Sequence, residues 1–156
     1  MKVEVLAIGK TSEPYLEAGI AIFEKRLKNY LPFAWSVLPG ARLKTADAKL
    51  LKQEEAKLIL SKIGPDDFLV LLDERGQLFN SIELANWLEH RLTVSNRRLV
   101  FLIGGAFGFT AEVYARANAQ ISLSRLTFSH QMARLFLLEQ LYRAMTILRN
   151  EPYHNQ

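Results

Sequence analysis

The chain has 156 residues, 49% of them hydrophobic, and a mean hydropathy of +0.02, which suits a single domain, residues 1–156, with a real core and excludes a disordered chain. It contains no cysteine, which excludes disulfides, thiolate catalysis and cysteine-ligated zinc. Lys plus Arg total 20 against 16 acids, an excess that would assist a polyanionic partner through counterion release and that also fits an ordinary solvated surface.

The first stretch, "MKVEVLAIGK", has Glu4 among its apolar residues and no small-residue cleavage site. It does not read as a signal peptide. No apolar run approaches the ~20 residues of a membrane helix. A cytoplasmic protein without membrane or metal is expected. Val3–Gly9 reads as a strand. A helix follows, with Ser12 as candidate N-cap, Pro14 in its first turn, and Ile20, Phe23, Leu27 and Tyr30 at helical spacing. Phe33–Gly40 is a second strand closed by Pro-Gly. The polar, basic stretch Ala41–Asp47 is expected to be a mobile loop. Asp47–Ile63 is an amphipathic helix with Leu50, Leu51, Leu58 and Ile63 inward, broken by "GPDD". Phe68–Asp73 is a nearly all-apolar strand. Ser81–Leu92 is a helix with a weak capping signal in Ser81 and Glu83. Arg98–Gly105 is another apolar strand, Thr110–Asn118 a short helix capped by Thr110, and Ala119–Ser124 the last strand. A final helix runs from about His130 to Arg149.

Continuous apolar strands alternating with helices predict an α/β fold, a mostly parallel sheet with helices on both faces. In such sheets ligands bind beyond the carboxyl ends of the strands. Three loops leave those ends: "LLDERGQ", "IGGAFGF" and "SLSRLTF". The glycines at 104, 105 and 108 permit close backbone approach and positive φ. Their spacing is not GxGxxG, and no GxxxxGK[ST] occurs, so dinucleotide and phosphate-loop sites are not indicated. Asp73 and Glu74 could serve as bases and Arg75 could hold phosphate; a plain turn with a local ion pair, worth ~0–1 kcal/mol, explains them equally. The joint after the last strand is too short for an ordinary crossover. The final helix must therefore begin at the strand's end, with its N–H groups facing the crevice. Ser122, Ser124 and Thr127 add hydroxyls there. That helix is apolar on more than one face, so its cover is expected to include a second copy of the chain. Leu138 and Leu141 would then face either the partner or the sheet.

Taken together, "LDERG", "IGGAFG", "SLSRLTFSHQMAR" and "EQLYRA…NEPYH" resemble the ribosomal RNA large subunit methyltransferase H family of the SPOUT superfamily. The resemblance covers the whole chain. Each motif alone is weak; their order and spacing together are specific. It implies a C-terminal deep trefoil knot, against the general rule that chains are unknotted. It implies S-adenosylmethionine as cofactor, a homodimer through the last helix, and methyl transfer to N3 of a pseudouridine in 23S rRNA on assembled ribosomes. By position it implies cofactor contacts at Leu72, Gly104, Gly105, Leu123, Ser124, Arg125, Leu126, Thr127 and Phe128. The family often has proline where Ser129 stands; Ser129 could act as an N-cap instead. For the proton of N3 the candidate is His154, which the family pattern keeps together with Tyr153; Arg143 could serve beside them by binding the rRNA. Arg143 also stands four residues after Glu139, a favourable helix pair. His130 and His90 fit structural or solvated roles. Two other functions fit the chain: a non-catalytic RNA- or ribosome-binding α/β protein, and a SPOUT methyltransferase acting on tRNA.

Overall fold

The computed structural model describes residues 2–40, 46–94 and 97–155. The elements alternate as β1 (Val3–Ile8), α1 (Pro14–Leu27), β2 (Phe33–Leu38), α2 (Ala48–Lys62), β3 (Phe68–Leu78), α3 (Ser81–Val94), β4 (Leu99–Ile103), α4 (Ala111–Arg116), β5 (Ala119–Ser122) and α5 (His130–Leu148). The five strands form one sheet in the order β2-β1-β4-β3-β5, with every pairing parallel. The expected α/β sheet is thus present and wholly parallel.

Both faces are buried, which is why the strands are apolar without interruption. Val3, Val5, Val70, Leu99, Phe101 and Ile121 pack with α1, α3 and α5. Leu6, Ile8, Leu69, Leu71, Val100 and Leu102 pack with α2 and α4 on the opposite face. This is the period-2 alternation of a strand, hidden in the sequence because each side meets a helix layer.

Several boundaries differ from the sequence reading for identifiable reasons. Residue 13, not Ser12, caps α1, and Glu13 makes no side-chain capping bond. The Ser12 N–H instead donates to Gln131 Oε1 at 3.0 Å, and Gln131 Nε2 donates to the Lys10 carbonyl at 3.1 Å. The loop after β1 is therefore clamped to the first turn of α5. Residues 41–45 of the expected mobile loop lie outside the described residues, while Asp47 caps α2 through the Lys49 N–H. In α2, Leu50 is 46% exposed rather than inward. The helix buries Glu55, Ala56 and Ile59, and Leu50 lies on the far side of that stripe. The capping box of α3 is Asn80 with Glu83: Asn80 Oδ1 accepts from the Glu83 N–H, and Glu83 Oε1 from the Asn80 N–H, both at 2.8 Å.

The long final helix occupies the middle of one face, with α1 and α3 on either side and the sheet beneath. Leu137, Leu138, Leu141, Ala144 and Met145 are buried in this way by their own chain. Gly19 of α1 lets the helices approach closely: a Cβ there would stand 2.9 Å from Leu135 Cδ1. Buried Arg134 holds the start of α5 to the end of β1, donating to the Ile8 carbonyl at 2.8 Å and to Thr11 Oγ1 at 2.9 Å. Much of the apolar surface assigned above to a partner is therefore covered within one copy. Leu138→Asp should accordingly abolish folding rather than merely separate copies. An unpaired buried charge costs several kcal/mol, a large part of the ~5–15 kcal/mol stability of a domain. A thermal melt within a few degrees of the parent would show that this position is solvated.

Candidate active site

Strands β4, β3 and β5 are neighbours, so their carboxyl ends open on one crevice. It holds a cavity of about 440 Å³, within the usual range for a small-molecule site. Leu72, Gly104, Gly105, Leu123, Ser124, Leu126, Thr127 and Phe128 line it, joined by Asp73, Arg75, Phe109, Tyr114 and His130. The three loops singled out from the sequence therefore converge. Arg125 is not in the lining; it is exposed, between two neighbours that are.

The "LDERG" segment is a bulge inside β3 rather than a loop after it. Leu72 and Gln77 both pair with Ile121, with the register shifting between them. Residues 73–76 are thus pushed out over the crevice. Gly76 makes this possible: a Cβ there would stand 2.6 Å from the Ile121 nitrogen, inside backbone that cannot yield. The glycines of "IGGAFGF" act through space more than through dihedral angle, since of the three only Gly108 has positive φ, at 75°. A Cβ at Gly104 would meet the Phe109 ring at 2.9 Å, and one at Gly105 would meet Glu55 Oε1 at 3.0 Å. Glu55 is itself buried, and burial followed by the nearby Glu54 charge raises its carboxyl above the ordinary value.

The hydroxyls of the joint are used within the joint. Ser122 Oγ donates to the Ser124 carbonyl at 2.8 Å, and Ser124 Oγ accepts from the Leu126 N–H at 3.0 Å. Ser129 caps α5, accepting from the Met132 N–H at 3.1 Å, as expected from its chemistry. Phe128 stacks on Phe136 with centroids 4.9 Å apart. The joint is thus braced by its own hydrogen bonds and ring contact without proline.

On the opposite wall Asp73 accepts from the Tyr114 hydroxyl and, at 2.8 Å, from the Arg75 N–H. Arg75 Nη2 donates to the Tyr114 oxygen at 2.9 Å. Burial tends to raise the Asp73 carboxyl, but the bonds from Tyr114 and Arg75 outweigh it and hold the group below the ordinary value. Burial and the bond to Asp73 push Tyr114 up, so Tyr114 stays a donor. Asp73 thus has both carboxylate oxygens already accepting hydrogen bonds.

Residues 150–154 fold back on α5. Asn150, at φ 56°, ends α5 in a Schellman motif: its N–H donates to the Ile147 carbonyl at 3.1 Å, and the Glu151 N–H to the Thr146 carbonyl at 2.9 Å. Pro152 follows the stop rather than making it. The chain then folds back. Tyr153 OH donates to Glu139 Oε1 at 3.0 Å, Arg143 Nη2 donates to the same oxygen at 2.6 Å, and Arg143 Nη1 lies 3.1 Å from His154 Nδ1. Burial, then the Glu139 bond, raises the Tyr153 hydroxyl. Arg143, Tyr153 and His154 are therefore brought together in one copy. They sit beside the second half of α5, and Arg143 is roughly 20 Å along the helix from His130 at the crevice. One copy does not unite them with the cavity.

The sequence matches the family described as "Predicted SPOUT methyltransferase" over residues 1–154. The chain belongs to the SPOUT methyltransferase family. Relatives named ribosomal RNA large subunit methyltransferase H include that of Christiangramia forsetii, 47% identical and covering 100% of both chains. Those of Cytophaga hutchinsonii and Parabacteroides distasonis are 46% and 45% identical, covering 99% and 100% of this chain and 100% of their own. A solved structure, a probable methylase family protein from Haemophilus influenzae Rd KW20, matches with a TM-score of 0.52 at 12% identity, over 99% of this chain and 70% of that one. That likeness shows the fold alone.

Some residues of the site in this SPOUT methyltransferase carried no sequence signal. Tyr114 lines the cavity from the short helix α4, and Glu55 of α2 backs the loop at Gly105 without lining the cavity. Only the packing of α4 and α2 against the loops brings them there. Among the described residues there is no cluster of three or more His, Cys, Asp or Glu able to hold a metal, and no helix long and apolar enough to cross a membrane.

Proposed function

We propose that the crevice binds S-adenosylmethionine and that the protein methylates N3 of a pseudouridine in 23S rRNA on assembled ribosomes, in the cytoplasm. The carrying observation is the convergence of three loops on one cavity of about 440 Å³ in a chain whose relatives bear an rRNA methyltransferase name. The lining fits the cofactor. Gly104 and Gly105 let their loop pack tightly on Phe109 and Glu55 and so hold its backbone at the cavity wall, Leu72, Leu123 and Phe128 offer apolar cover, and the joint supplies polar backbone. Bound there, S-adenosylmethionine would supply the methyl carbon for an in-line displacement. The protein's part is alignment, which can lower a barrier by up to ~7–11 kcal/mol. Arg125, exposed at the mouth, would meet the RNA rather than the cofactor.

The reading includes a homodimer. Met132, Phe136, Glu139, Gln140 and Arg143 recur at helical spacing along the side of α5 that its own chain covers least. Leu126, 72% exposed, adjoins this stripe at its crevice end. If two copies pair antiparallel about Phe136 and Glu139, position 130 of one faces the region of Arg143 in the other. The tail of each copy then reaches the crevice of its partner, where His154 would take the N3 proton and Tyr153 and Arg143 would hold the base. The short joint supports a further element of the reading, a trefoil knot threaded at residues after β5.

The test is mass spectrometry of 23S rRNA from cells with and without the protein. One pseudouridine should lose its methyl group in the deletion strain and regain it on complementation. An unchanged 23S rRNA profile, or a missing methyl group in tRNA instead, would overturn the assignment.

A further inference from the structure

We propose that Arg75 is a preset anchor for an RNA phosphate at the mouth of the crevice, aligned by Tyr114 and Asp73. The inference rests on the proposal that ribosomal RNA is the substrate. Arg75 lies on the bulge that breaks β3, and its side chain is 74% exposed while that of Asp73 is only 9% exposed. Such an arginine would ordinarily sample many rotamers. Here one Nη2 donates to the Tyr114 hydroxyl at 2.9 Å, the guanidinium lies 5.5 Å from the Tyr114 ring centroid, and Nε is 3.5 Å from Asp73 Oδ1. Tyr114 is fixed in turn by its bond to Asp73 and by an edge-on contact with Phe109 at 5.8 Å. Ring and carboxylate thus pin one side of the guanidinium. A guanidinium has five donors in a planar fork, so its solvent side keeps donors for an incoming anion.

The exposure decides which anion. A small-molecule site encloses most of its ligand, and a group three-quarters exposed at the rim reads something that stays at the surface. An RNA backbone does so, whereas the carboxylate of a bound cofactor lies inside. Glu74, exposed on the same rim, would attract a loose arginine; the bonds to Tyr114 and Asp73 oppose that exchange. Prior alignment also removes rotamer freedom that binding would otherwise have to remove. Fixing a phosphate beside the cavity would set the register of the target base without reading its identity.

Binding to isolated large ribosomal subunits, measured across a salt series by sedimentation, tests this without turnover. Arg75→Gln should weaken binding at low salt by roughly tenfold and make the slope of log K against log salt shallower by about 0.7. Arg75→Lys and Tyr114→Phe keep the charge, so they should weaken binding severalfold with the slope retained. S-adenosylmethionine affinity of Arg75→Gln, from calorimetry, should stay within twofold of the parent. Subunit binding and slope unchanged in Arg75→Gln would overturn the proposal. So would an equal loss of cofactor affinity, which would assign Arg75 to the cofactor carboxylate. If the intact chain transfers no methyl group yet keeps an Arg75-dependent slope, the reaction proposed above fails and this assignment stands.

Discussion

Gly105→Val should remove detectable S-adenosylmethionine binding while leaving the protein folded. The new Cβ would stand 3.0 and 3.4 Å from the two carboxylate oxygens of Glu55. Those oxygens belong to a side chain only 7% exposed on α2, so they have little room to withdraw. Two γ-methyl groups enlarge the conflict. The loop must then move away from α2, and the cavity lies on its other side. Overpacking of this kind costs ~1–3 kcal/mol, and here the displacement falls on the wall of the site, so a loss of at least ten- to a hundredfold in affinity is expected. Gly105→Ala should lose less, and adding Glu55→Ala to it should recover part of the loss, since the clash is with that carboxylate. Calorimetric titration checks each. An unchanged dissociation constant for Gly105→Val would take this loop out of the binding site.

What could be read from the residues depended on whether a property is carried locally. Uninterrupted strands such as "FLVLL" and "LVFLI" declare burial on both faces, and that alone leads to a parallel sheet with ligand loops at its carboxyl ends. The crevice was legible because its glycines and its short joint are local features. The second half of β3 was not: Asp73 to Gly76 are polar, and only the close passage of Gly76 over Ile121 lets the strand resume beyond them. The cover of α5 was legible only in part, for a related reason. Its apolar residues point to burial, but nothing along the chain says that α1 and α3 flank it. Ser12 looked like a cap by type, yet its N–H is held by Gln131, 119 residues away. Tyr114 and Glu55 owe their places to packing across the sheet, which no local spacing encodes.

Deleting residues 153–156 should reduce methyl transfer on ribosomes by on the order of a hundredfold, the usual contribution of a positioned acid or base. Cofactor affinity should hardly change, because neither Tyr153 nor His154 lines the cavity of its own chain. The tail nevertheless has a structural role. Tyr153 bonds to Glu139 and packs edge-on against Tyr142 at 4.7 Å, so the truncated protein should also lose about 1 kcal/mol of stability. That complicates a deletion, and point changes separate the effects. Tyr153→Phe keeps the ring and loses only the bond to Glu139, so it tests the hydroxyl. His154→Ala removes the ring beside Arg143 and leaves the Glu139–Arg143–Tyr153 contacts in place. If His154 takes the N3 proton, its loss should lower single-turnover rates nearly as far as the deletion does, with the melting temperature little changed. Mixing chains tests the route. A dimer of one His154→Ala chain and one Gly105→Val chain has one crevice able to bind cofactor, that of the His154→Ala copy. That crevice receives the intact tail of the other chain if tails cross between copies, and half the parental activity should return. A mixed dimer as inactive as its two parents would overturn the crossing of tails between copies, and a His154→Ala parent with full activity would remove His154 from the reaction.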